Sequence, residues 1–151
     1  MKLDRRQALV LTGSAAFIAM AGLGVGPAAA AAEDTEKKIM DFTGGKAPES
    51  GKISLTAPEI AENGNTVPIT VEVESAMTGD DMVQSVLILA DGNPNPEVAT
   101  FNFTALSGTA AATTRMRLAK TQSVIAVAKM ADGSVFMDKK EVKVTIGGCG
   151  G

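Results

Sequence analysis

The middle of the chain alternates apolar and polar positions with a period of two. Between residues 67 and 73, Val67, Ile69, Val71 and Val73 are separated by Pro68, Thr70 and Glu72, as in a strand with one buried face. Similar segments predict further strands at 82–90, 97–106, 113–118, 123–130, 134–138 and 141–146, with a weaker one at 52–56.

Turn-forming residues separate these predicted strands. They occur at 63–65, at 91–94 and at Asp132-Gly133, and the last pair is typical of a tight hairpin between antiparallel strands. Seven or eight short strands without long helical periodicity predict an all-β, immunoglobulin-like antiparallel β-sandwich over residues 49–146. Residues 86–89 lack alternation, so this strand is covered on both faces, either by a partner chain or by an N-terminal helix.

That helix is predicted within a short segment, residues 33–48, that also contains a linker. Asp34 and Thr35 can cap a helix that continues to about Phe42, and the following Gly44-Gly45 ends it.

The first 32 residues have the pattern of an export signal. Adjacent Arg5 and Arg6 precede a mildly apolar stretch over 8–25, and Ala30 to Ala32 supply a small-residue cleavage pattern. We therefore predict a twin-arginine signal peptide at 1–32, removed near Ala32, and a periplasmic mature protein without stable membrane association. An uncleaved membrane anchor is the alternative, since the apolar stretch approaches the length of a membrane span.

Composition excludes several classes of function. The chain has no histidine and one cysteine, so Ser-His-Asp catalysis, Cys-His catalysis and a Cys/His zinc site are excluded. Asp80-Asp81 is the remaining carboxylate pair, but adjacent loop carboxylates are usually solvated, and we assign no catalytic residue, metal or cofactor. Without Lys2, Arg5, Arg6 and Asp4, 11 of the 14 basic and 16 of the 17 acidic residues remain, a charge of −5 that argues against nucleic-acid binding.

The chain ends in Gly147-Gly148-Cys149-Gly150-Gly151, which we call the arm. Glycine has the greatest backbone freedom, so Gly147, Gly148, Gly150 and Gly151 predict a flexible carrier of the thiol. An exposed single thiol in an oxidising compartment is a liability unless it is used, which makes Cys149 the candidate for covalent substrate attachment. No cation flanks Cys149 in sequence, so reactivity is expected to come from a partner's active site.

The intact terminal Gly-Gly-Cys-Gly-Gly sequence, with the twin-arginine leader and β-rich body, resembles the SoxY family of sulfur carriers in thiosulfate oxidation. The resemblance implies that Cys149 is the carrier cysteine and that the protein is a carrier, not an enzyme. It implies a heterodimer with SoxZ. It also implies transient docking to SoxAX, which attaches thiosulfate, to SoxB, which releases sulfate, and to SoxCD, which oxidises the remaining sulfane sulfur.

Two other functions remain open from the residues alone. The first is an exported structural or adhesive β-sandwich whose Cys149 forms an intermolecular disulfide. The second is a copper chaperone that uses Cys149 with methionines, although Met82, Met116, Met130 and Met137 fall within predicted strands and are expected to fill the core. Arg115 and Arg117 share one strand face and could contact an acidic partner or serve solubility.

Overall fold

The computed structural model describes residues 27–148. The predicted signal peptide as far as residue 26 lies outside the described residues, and so do Cys149, Gly150 and Gly151. Within residues 27–148, no helix combines the length and the apolar character needed to cross a membrane.

The N-terminal helix, α1, spans Pro27–Thr43. It begins before the predicted cap at Asp34 because the preceding alanines, the strongest helix formers, continue the helical turn. Within it the Thr35 hydroxyl donates to the Ala31 carbonyl at 2.8 Å instead of capping a helix start. The predicted stop is confirmed, since Gly44 and Gly45 have φ angles of 67° and 86°, which glycine adopts without strain.

In the part of the chain that the structure describes, eight strands form two sheets, which confirms the predicted all-β sandwich. The three-stranded sheet has the order β1-β3-β6, and the five-stranded sheet has the order β2-β8-β7-β4-β5. The strands are β1 (Ile53–Thr56), β2 (Ile60–Ala61), β3 (Val67–Val73), β4 (Val83–Ala90), β5 (Glu97–Asn102), β6 (Ala110–Met116), β7 (Gln122–Met130) and β8 (Val135–Val144).

Four strands differ from the sequence prediction by more than one residue, and one of them is the strand predicted at 113–118, which spans Ala110–Met116 as β6. The strands predicted at 134–138 and 141–146 are one continuous strand, β8, because β7 pairs with its polar middle from Asp138 to Glu141. The strand predicted at 97–106 ends at Asn102, and a 3₁₀ turn over Ala105–Ser107 follows, in which Thr104 and Ser107 cap each other. The short strand β2 was not predicted, since two residues carry no measurable alternation.

The core occupies two layers. Between the sheets lies a cluster of buried aliphatic side chains with Met77, Met116 and Met130 among them. On the outer face of the five-stranded sheet, Leu87 and Leu89 pack with Ile39 and Phe42 of helix α1. Strand β4 is therefore covered on both faces by its own chain, which confirms the interpretation of residues 86–89 as a central strand under the helix.

The β7–β8 hairpin confirms the turn predicted at Asp132-Gly133. Gly133 has a φ of 81°, and its backbone N–H donates to the Met130 carbonyl at 3.1 Å. The Asp132 carboxylate accepts from the backbone N–H of Ser134 at 2.8 Å. This turn sends β8 back along β7 toward the arm.

Candidate functional site: the base of the arm

Strand β8 carries the chain to the arm between two neighbouring strands. It pairs antiparallel with β7 and parallel with β2. Beyond the strand, the Thr145 backbone N–H donates to the Ala61 carbonyl at 3.1 Å, and the Thr145 hydroxyl donates to the Glu62 carbonyl at 2.9 Å. The direction in which the chain approaches the arm is therefore fixed as far as Thr145.

The next residues are held by three backbone hydrogen bonds, which we call the clasp. Gly64 N–H donates to the Ile146 carbonyl at 2.8 Å, and Gly148 N–H donates to the Leu118 carbonyl at 2.9 Å. The third bond joins the two supporting segments, because Leu118 N–H donates to the Gly64 carbonyl at 2.8 Å. Gly148 is buried as a result, and it is the residue bonded covalently to Cys149.

The close approach within the clasp requires glycine. A Cβ atom on Gly148 would lie 2.7 Å from the Gly64 carbonyl oxygen, closer than real Cβ contacts allow. A Cβ atom on Gly64 would lie 2.7 Å from the Gly148 nitrogen and would overlap the Leu118 carbonyl oxygen. On Gly147 it would overlap the Ala119 carbonyl oxygen. Gly147 and Gly148 thus have a packing role in addition to the predicted flexibility of the arm.

The structure brings together only part of the predicted site. Gly147 and Gly148 lie at the base of the arm, whereas Cys149, Gly150 and Gly151 are outside the described residues, so their predicted roles stay predictions. Sequence reasoning missed Gly64 and Leu118. Residues 63–65 were recognised as a turn, but nothing in the local sequence indicates that this turn contacts a segment more than fifty residues away and the chain terminus.

A pair of buried amide side chains supports the Leu118 segment from behind. Asn93 is 2% exposed, and its Nδ2 donates to the Arg117 carbonyl at 2.8 Å. Its Oδ1 accepts from the Ala119 backbone N–H at 3.0 Å and from Gln122 Nε2 at 2.8 Å. Both peptide groups that flank Leu118 are therefore fixed by one side chain.

The charged residues singled out in the sequence lie at the surface. Arg115 and Arg117 are exposed, and Arg115 Nη1 lies 3.4 Å from the Thr66 hydroxyl. Asp81 belongs to a 3₁₀ turn, where the Lys52 ammonium donates to its carboxylate at 2.9 Å and the Ala76 backbone N–H at 2.7 Å. The hydrogen bond from Lys52, and then that from Ala76, lowers the pKa of Asp81. These contacts tie a loop to β1.

The four methionines of the predicted strands lie in or against the core clusters. Met116 and Met130 are buried in the core cluster, as expected for core filling. Among residues 27–148, no group of three or more His, Cys, Asp or Glu side chains is placed to share a metal ion.

Comparison with known proteins relates the chain to sulfur oxidation. The family profile described as "Sulfur oxidation protein SoxY" matches residues 39–149. The solved structure of the sulfur carrier protein SoxY from Chlorobium limicola f thiosulfatophilum is similar at 33% identity, with a TM-score of 0.61. That match covers 76% of this chain and 99% of the Chlorobium chain. The comparison with curated proteins found no significant match.

More distant structures share the fold alone. The superoxide reductase (neelaredoxin) from Ignicoccus hospitalis matches at 19% identity with a TM-score of 0.53, over 69% of this chain and 91% of its own. The superoxide reductase from Nanoarchaeum equitans matches at 18% identity with a TM-score of 0.52, over 63% of this chain and 99% of its own.

Proposed function

The chain belongs to the SoxY family of sulfur carrier proteins in sulfur oxidation, and from this premise we propose that it carries thiosulfate-derived intermediates covalently on Cys149 in the periplasm. The observation that supports this most is the family match itself, which extends to residue 149 and so includes the cysteine of the terminal Gly-Gly-Cys-Gly-Gly. The clasp adds a structural reason, because it presents the residue before Cys149 at the end of a firmly paired strand.

The proposed loading step joins the Cys149 sulfur to the outer sulfur of thiosulfate. The S–S bond forms as the thiol loses its proton and the pair of sulfurs loses two electrons, which SoxAX accepts. Hydrolysis by SoxB then adds water across the bond to the sulfone, releases sulfate and leaves a persulfide on Cys149. SoxCD then takes six electrons from the outer sulfur of the persulfide, which gains three oxygen atoms from water, and a second hydrolysis by SoxB releases sulfate and frees the thiol.

The protein itself is proposed to supply the attachment point and no catalysis. The residues of the clasp, Gly64, Leu118, Ile146 and Gly148, carry no ionisable side chain, so the clasp itself offers no general acid or base. The chemistry, and the cofactors that it needs, are therefore assigned to the partner enzymes. A SoxZ heterodimer is the proposed resting form, exported jointly by the twin-arginine route, which moves folded cargo.

Mass spectrometry of the protein isolated from its host during growth on thiosulfate tests the proposal. We expect adducts of sulfane sulfur and thiosulfonate on the peptide that contains Cys149, all removed by reducing agent and absent from a Cys149→Ser variant. The mass of the intact protein should correspond to a chain that begins near residue 33 if the leader is removed. An unmodified thiol throughout, or a Cys149–Cys149 dimer as the sole product, would refute the carrier proposal and favour the structural β-sandwich.

A further inference from the structure

We propose that Asn93 and Gln122 are positioning residues for the carrier arm, because they hold the segment on which the clasp is built. The inference rests on the proposed function for its purpose, since it concerns where a loaded Cys149 leaves the folded body. Its geometry is independent of that function. Both side chains lie inside the described structure, and their hydrogen bonds join them to each other and to the backbone at Gly92, Arg117, Ala119 and Lys120.

The first step of the argument is how completely Asn93 is engaged. Its amide nitrogen donates to the Arg117 carbonyl at 2.8 Å, and its amide oxygen accepts from Ala119 N–H at 3.0 Å and Gln122 Nε2 at 2.8 Å. Leu118 lies between the two backbone partners. A side chain that is 2% exposed and bonds to both flanking peptides restrains the Leu118 carbonyl and N–H together.

The second step is that Gln122 anchors Asn93 to the sheet. Gln122 is 6% exposed and begins strand β7. Its Nε2 donates to Asn93 and to the Lys120 carbonyl at 3.1 Å, and its Oε1 accepts from the Gly92 backbone N–H at 2.7 Å. The loops at 91–93 and 117–120 are thereby fixed relative to the first residue of a central strand.

The third step connects this support to the arm. The Leu118 carbonyl accepts from Gly148 N–H, and the Leu118 N–H donates to the Gly64 carbonyl. Every clasp bond except the one between Gly64 and Ile146 therefore uses a Leu118 backbone group. Burying two amide side chains costs free energy unless all their polar atoms form hydrogen bonds. This condition is met here, because among the described residues no buried polar side-chain atom lacks a hydrogen-bond partner.

The test compares Asn93→Ala with a core variant of equal global stability. The control is a variant of Ile53, which is buried in β1 and pairs with Val73. That pair lies at the opposite end of the three-stranded sheet from the Val67–Met116 pair. Of Ile53→Val and Ile53→Ala, the control is the one whose urea midpoint matches that of Asn93→Ala. Amide hydrogen exchange is measured at Gly148 and Leu118 in the full protein as isolated. We expect exchange at Gly148 to rise at least about tenfold in Asn93→Ala and to remain unchanged in the control.

A second variant keeps the test informative if Asn93→Ala does not fold. Gln122→Met keeps the side-chain length but removes all three hydrogen bonds of the Gln122 side chain, and it should raise Gly148 exchange in the same direction by a smaller factor. It should also lower kcat/KM of the partner enzymes for the loaded carrier while the thiol titre of Cys149 stays complete. Equal exchange at Gly148 in the variants and the Ile53 control would overturn the inference. A parent protein that carries no sulfur, but whose Gly148 exchange still responds to Asn93→Ala, would refute the proposed function alone.

Discussion

The outer face of the five-stranded sheet and the clasp are stabilised in opposite ways. On the outer face, aliphatic side chains of β4 and β7 pack under Ile39 and Phe42 of helix α1. The clasp consists of three backbone hydrogen bonds that join two glycines to Leu118 and Ile146, and of these four residues only Leu118 buries a side chain in the core. Apolar burial cooperates across a whole core, whereas a few backbone bonds near a chain terminus can open while the domain stays folded.

The comparison predicts that effects on function and on stability separate along the chain. The largest difference between the effect on function and the effect on stability is expected for Cys149→Ser. Loading with thiosulfate-derived sulfur should be lost completely, because a hydroxyl cannot form the S–S bond, while the thermal midpoint should stay unchanged. Loading is measured by the mass of the C-terminal peptide. Residual adducts on the variant would show that sulfur attaches elsewhere.

Leu89→Ala should give the opposite result. Leu89 is fully buried beneath α1, so the free energy of unfolding should fall by about 2–5 kcal/mol through lost burial and a cavity. Sulfur carried per folded molecule should not change. Urea denaturation measures the first effect, and Leu106→Ala is the matched control, because Leu106 is 98% exposed and should cost less than about 0.5 kcal/mol. A comparable loss in both leucine variants would contradict the packing described.

Gly148→Ala should separate the clasp from the rest of the arm. The added Cβ meets the Gly64 backbone, so we expect a loss of about 1–3 kcal/mol in the free energy of unfolding and faster exchange at Leu118. Gly150→Ala should leave both quantities unaltered, although a bulky residue at Gly150 should still slow turnover by the partner enzymes. Equal behaviour of the two alanine variants in denaturation would argue against the clasp.

The smallest effect is expected at Asp81, which belongs to neither region. Its folded-state pKa is lowered, so its contribution to stability is present above the ordinary aspartate value of about 4 and is lost as the pH falls through the folded pKa. Asp81→Asn should therefore be slightly less stable than the parent at pH 7, and the two should converge in acid. Because the group is exposed, the difference should shrink in high salt. A difference in the free energy of unfolding between Asp81→Asn and the parent that persists at low pH would show that the charge of Asp81 is not its cause.

The sequence predicts the strands of the apolar core better than it predicts the clasp. Period-two alternation predicts β3, and the non-alternating run at 86–89 correctly predicts that β4 is buried on both faces. Such patterns report burial, so they could not reveal β2, whose two residues pair with β8, or the continuity of β8 through its polar middle.

The arm was recognised from composition, but its support was not. In the local sequence, Gly64 and Asn93 have the pattern of turn residues, and Gln122 that of a residue at a strand end. Their importance comes from contacts between segments that lie far apart in sequence. Burial of Asn93 and Gln122 is also opposite to the usual exposure of amide side chains, so composition could not point to them.

The position of β8 between β7 and β2 has a mechanical consequence. If a partner enzyme pulled on the cysteine, tension along the axis of this strand would be shared in shear by the ladder bonds to both neighbours. Among the described residues, the bond from Gly148 to Leu118 is the last one before Cys149 and would bear that tension first. Traction during catalysis would therefore lengthen the tether by releasing one residue, while the sandwich keeps its shape.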